Sequence, residues 1–174
     1  MTSRRKRNLT IASKWVVYFL FLMISATLQS APGFLEIAGV KPLFILPFCI
    51  GVAIYEGEYS GAFFALAGGF LWDWTAGRIS GLMALGLMAV CFFAAIVVEL
   101  YLRVNYINFV LVCLACTLLV LSSDYLFYYL MQGYPGSVER YFAWVLPTAL
   151  YTSLLSPLSM KGVRFVAHRF AVED

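Results

Sequence analysis

A chain of 174 residues has room for one domain, but 63% hydrophobic against 12% charged residues excludes an ordinary soluble globular protein. The net charge of +3 is not a nucleic-acid footprint either, because the basic residues gather near the two ends of the chain, where the positive-inside rule and anionic lipid headgroups account for them. Several apolar runs are long enough to cross a bilayer. The reading is an all-α integral membrane protein with six transmembrane helices in residues 15–160, between a basic N-terminal segment, 1–14, and a basic tail, 161–174.

In chain order, Arg4, Arg5, Lys6, Arg7 and Lys14 precede the first apolar run, Trp15 to about Gln29. No convincing small-residue cleavage pattern follows, so this run is expected to stay in the protein as a span. A loop with Pro32, Gly33, Gly39 and Pro42 comes next, and its GFLEIAGV stretch suits the membrane interface. The second run, Leu43 to Tyr55, is short. It meets the third, Tyr59 to Trp74, through a turn marked by Glu56, Gly57 and Glu58, which reads as a hairpin of short helices. A fourth run extends from Leu82 to about Leu102, with Glu99 and Arg103 spaced for an i, i+4 ion pair. The fifth, Ile107 to Met131, contains Asp124, and the sixth, Tyr141 to Met160, contains Pro147 and Pro157.

Six spans put both chain ends on one side. That side holds nine Lys and Arg: Arg4, Arg5, Lys6, Arg7, Lys14, Arg103, Lys161, Arg164 and Arg169. The other side holds three, Lys41, Arg78 and Arg140. Cytoplasmic termini are therefore expected. Trp15, Tyr18, Tyr55, Tyr59, Tyr101 and Tyr106 would form an inner aromatic belt, and Trp72, Trp74, Tyr128, Tyr129, Tyr134 and Tyr141 an outer one.

The stretch Gly57 to Gly81 holds six of the thirteen glycines. Every fourth residue is small or is an acid: Gly57, Gly61, Ala65, Gly69, Asp73, Gly77 and Gly81. Residues four apart form one helical ridge, so this pattern is expected to admit another backbone closely, either within the protein or from a partner. Asp73 and Asp124 fall towards the outer ends of their helices, where a carboxylate needs a partner or a proton. Arg78 for Asp73, and Arg140 or Gln29 for Asp124, are the candidates. The acids then either tie helices together or, with Arg78 and Arg140, form an outer polar pocket.

No catalytic constellation assembles, and the chain reads as non-enzymatic, with no cofactor or metal. The lone histidine, His168, lies in the basic tail, and no metal-ligand or P-loop spacing occurs. Ser122 and Ser123 have no histidine or lysine at similar depth to activate them. Cys113 and Cys116 have CxxC spacing inside an apolar run, which fits packing residues better than redox chemistry.

The pattern G-x7-G-F-L-x-D-x7-G-L, from Gly61 through Leu82, with Pro42 before helix two and Gly77 in the turn, resembles the MreD family of rod shape-determining proteins. The resemblance implies a multi-pass protein of the bacterial inner membrane that serves the cell-elongation machinery. It implies as partners a bitopic MreC-like protein and, through it, the MreB filament and peptidoglycan synthases. It also implies a fold similar to the substrate-binding subunits of energy-coupling-factor vitamin transporters. That likeness supplies the alternative, a transporter subunit with a vitamin held near Asp73, Asp124 and the outer tryptophans. The notable lack of an AxxxA motif in helix one and the short outer loops speak against it.

Overall fold

The computed structural model describes residues 2–37, 39–76, 81–127 and 141–170. These form six α-helices: α1 (Thr2–Ser30), α2 (Ile45–Glu56), α3 (Glu58–Ala76), α4 (Leu82–Tyr101), α5 (Tyr106–Tyr125) and α6 (Leu146–Arg169). A five-residue π-helical turn, Tyr141–Val145, leads into α6.

The short α2 is the hub. Nine consecutive residues, Ile45–Ala53, are buried, as expected of a helix that is apolar on every side. It packs against α1, α3, α4, α5 and α6. Its core cluster joins Tyr18 and Leu22 of α1, Phe64 and Ala65 of α3, Leu87 and Cys91 of α4, Phe109 and Cys113 of α5, and Met160 and Val163 of α6. All four cysteines are buried and free, so they serve as small packing residues.

Both ends of α2 are tied from a distance. Phe44 and Ile45 donate their backbone N–H groups to Oε1 of Gln29, at 3.0 and 3.2 Å. Leu43 donates its N–H to Oγ1 of Thr152 in α6, at 3.0 Å. At the other end Gly57, with φ +90°, is the single residue between α2 and α3. That left-handed conformation favours glycine, and it lets the chain reverse within one peptide.

Among the described residues, three helical segments are long and apolar enough to cross a membrane: Arg7–Ser30, α4 and α5. The six runs of the sequence thus become six helices of unequal length. With 12 residues, α2 spans about 18 Å, well short of a hydrocarbon core of about 30 Å. Helix α3 carries Glu58 and Asp73, and α6 carries two prolines, several hydroxyl residues and the basic end. Proline 157 cannot donate to the carbonyl of Ser153 one turn back; Ser156 fills that place, donating its hydroxyl to Ser153 O at 2.7 Å.

Several expectations need correction. The first helix does not start at Trp15 but runs through the basic block. Glu99 and Arg103 form no pair: α4 ends at Tyr101, Leu102 is extended (φ −124°, ψ 142°), and Arg103 is thereby carried off the helical ridge. Tyr18, assigned to the inner belt, is fully buried. Trp72, assigned to the outer belt, is also buried, whereas its neighbour Trp74 is 86% exposed. Tyr128, Tyr129 and Tyr134 lie outside the described residues.

Candidate functional site

Helix α3 meets its neighbours at backbone distance. A Cβ placed on Gly61 would lie 2.1 Å from Cα of Ala53 in α2. One on Gly69 would lie 2.3 Å from Cα of Ala84 and 2.8 Å from the carbonyl oxygen of Met83 in α4. The small residues therefore serve two interfaces: Gly61 admits α2 and Gly69 admits α4. Ala65, between them, is fully buried. Gly68, off the four-residue spacing, packs too, since its Cβ would come within 2.8 Å of Sγ of Cys49. Gly57 and Gly81 are turn residues with positive φ and open space around them. Gly77 and Arg78 lie outside the described residues.

One turn beyond Gly69, Asp73 is 2% exposed. Its Oδ2 accepts hydrogen bonds from the backbone N–H groups of Gly81, at 2.7 Å, and Ala84, at 3.4 Å. Gly81 stands at the N-cap of α4 and has no side chain of its own to do this. The carboxylate thus closes the first turn of the next helix, where a negative charge faces the positive end of the helix dipole. Ala84 is thus met twice by α3, at its Cα by Gly69 and at its N–H by Asp73. Oδ1 of Asp73 is buried with no hydrogen-bond partner among the described residues.

Asp124 is also buried, but in different surroundings. It lines a cavity of about 650 Å³ together with Glu36, Lys41, Trp72, Tyr125 and Trp144. Asp73 is not among the described lining residues, although its neighbour Trp72 is. Lys41 donates its ammonium to the carbonyl oxygen of Ala31, just past the end of α1. Gln29, an expected partner of Asp124, accepts backbone N–H groups of α2 with its side-chain carbonyl. Arg140 lies outside the described residues.

At the opposite end, Glu56 joins α2 to α1. Its Oε2 lies 2.6 Å from the ammonium of Lys14, and its Oε1 accepts the hydroxyl of Tyr18 at 2.8 Å. Sequence reading treats Glu56 only as a turn marker. The sequence offers only that Lys14 and Tyr18, at i and i+4, share one helical face, and nothing in it pairs them with Glu56. The serines hold structure: Ser123 donates to Leu119 O at 2.8 Å, and Ser122 shares a 2.8 Å hydrogen bond with the Tyr141 hydroxyl. Among the described residues no cluster of three or more His, Cys, Asp or Glu could hold a metal.

Against known proteins, the family model described as rod shape-determining protein MreD matches residues 10–159. No curated protein and no solved structure matches the chain.

Proposed function

We propose, from the premise that this chain belongs to the MreD family of rod shape-determining proteins, that it acts without catalysis, by holding partners of the bacterial cell-elongation machinery together in the inner membrane. Its first partner is a bitopic MreC-like protein, and through that protein it supports MreB-guided lateral peptidoglycan synthesis. The observation that carries this reading is the family match across all six helices up to residue 159. The rigid centre is compatible with it: α2, α3 and α4 touch at backbone level through Gly61 and Gly69, a packing that gives a fixed shape for a partner to recognise.

The finer topology belongs to the same reading. All six helices lie within the membrane, with both termini cytoplasmic, and the protein thins or adapts the bilayer around the short α2. The arrangement is like that of the substrate-binding subunits of energy-coupling-factor transporters. The glycine ridge and Asp73 serve internal packing, and a lateral face takes the partner's transmembrane helix. The outer cavity beside Asp124 is the feature that favours the rival reading, a transporter subunit that binds a vitamin.

The deciding experiment is crosslinking of the tagged protein in its native membrane, mild extraction and identification of what accompanies it. An MreC-like bitopic protein is expected. A coupling membrane protein with two ATPases would overturn the reading. In cells carrying only Asp73→Asn, rod shape is expected to be impaired; unchanged shape would remove any need for that carboxylate's charge.

A further inference from the structure

The end of α6 carries Lys161, Arg164, His168 and Arg169, and the 3.6-residue period places all four on one helical face. All four are exposed to the surroundings. With Tyr106 of α5 and Phe165 they line a groove of about 490 Å³ between the two helices. None of the four cationic or ionisable side chains has a carboxylate within ion-pair distance among the described residues. The nearby start of α5 adds partial positive charge, since its N-cap residue, Asn105, makes no side-chain cap.

Charge alone would fit any anion, but the same face of α6 continues as hydrocarbon. Leu154, Leu158 and Phe165 lie four, then seven residues apart on it and are 75%, 67% and 69% exposed. The exposed face of α6 therefore passes from an apolar strip into an open cationic groove within two helical turns. Tyr106, 40% exposed at the rim, is of the type that settles at headgroup level. That succession is complementary to one molecule with acyl chains and a negatively charged head.

We propose that the α5–α6 groove is a binding site for an anionic phospholipid, whose phosphate sits among Lys161, Arg164 and Arg169 while its chains lie along Leu154 and Leu158. This is a defined site and goes beyond the general attraction of basic ends to a negative membrane surface. It does not depend on the protein's role in cell shape. The lipid would bridge the start of α5 and the end of α6.

The test uses the full chain in nanodiscs of phosphatidylcholine containing increasing phosphatidylglycerol, with the lipids retained after gentle release counted by native mass spectrometry. One phosphatidylglycerol is expected to stay bound in preference to phosphatidylcholine. Each cation removed is expected to weaken retention about fivefold, so Lys161→Gln, Arg164→Gln and Arg169→Gln together should weaken it about a hundredfold. A control carrying Arg4→Gln, Arg5→Gln and Arg7→Gln loses the same charge elsewhere and should change little. Equal losses in the two triple variants, or equal retention of the two lipids, would overturn the site. Displacement of phosphatidylglycerol by millimolar inorganic phosphate would instead show a site for a free anion and overturn the lipid assignment. Should the triple variant not elute as a single species, Arg164→Gln alone decides: about fivefold weaker retention supports the site, and unchanged retention overturns it.

Discussion

Asp73 and Gly81 meet across the α3–α4 turn, with the Gly81 N–H donated to Oδ2 of Asp73 at 2.7 Å. The residue that carries the family pattern is thus, in geometric terms, the cap of the following helix. Asp73→Ala is expected to lower stability by about 0.5–2 kcal/mol, the usual loss for a cap. Asp73→Asn keeps one carbonyl acceptor and should lose less. Apparent melting temperatures of the purified proteins in one detergent check this, and an Asn variant as damaged as the Ala variant would show that hydrogen-bond acceptance is not what matters.

Close approach makes a sharper contrast. At Gly69 a Cβ meets backbone at 2.3 Å, while at Gly86, on α4, nothing lies within 4 Å. Gly69→Ala should therefore push α3 from α4 and destabilise by about 1–3 kcal/mol or more. Gly86→Ala should stabilise by about 0.5–1 kcal/mol, because alanine loses less backbone freedom in a helix. The same thermal assay reads both, and a Gly69→Ala protein as stable as the parent would refute backbone contact there.

The Lys14–Glu56 pair is expected to show coupling. Lys14 and Glu56 are 19% and 10% exposed, and removing one leaves the other partly buried, at about 1–3 kcal/mol. Lys14→Met and Glu56→Gln should each destabilise. The double variant should lose less than the sum, and strict additivity in the cycle would mean the contact contributes nothing.

For the start of α2, Gln29→Ala should destabilise by about 0.5–2 kcal/mol through the loss of a cap acceptor for two backbone N–H groups. Gln29→Glu keeps acceptor oxygens in reach and should restore most of that loss. Slow hydrogen exchange at Phe44 and Ile45 in the parent, faster in Gln29→Ala, is the site-specific readout.

How much of this was legible depended on the range of the interaction. Apolar run lengths located all six helices, and the turn glycines Gly57 and Gly81 stood where reversals occur. Helix ends were harder, because propensity does not stop at a charged block: α1 continues back through Arg4–Arg7. Long-range ties were out of reach. Nothing in the sequence pairs Gln29 with Ile45 or Thr152 with Leu43, since neighbouring residues carry no sign of contacts that form only when α1, α2 and α6 assemble. Spacing by fours identified Gly61 and Gly69 but could not reveal that they face different helices, and it passed over Gly68. Arg78 and Arg140, the expected partners of the two acids, lie outside the described residues.

The cap formed by Asp73 has a consequence for how the protein is made. Its hydrogen-bond donors belong to Gly81 and Ala84, residues that leave the ribosome later than the acid itself. Until they emerge, α3 presents a carboxylate without those partners, and a helix in that condition is a poor candidate for release into lipid on its own. Segments 58–76 and 82–101 are then best retained together at the insertion machinery and delivered as one unit. A nascent chain of which only the residues before 81 have left the ribosome should accordingly remain crosslinkable to the translocation channel, and one exposed through α4 should not.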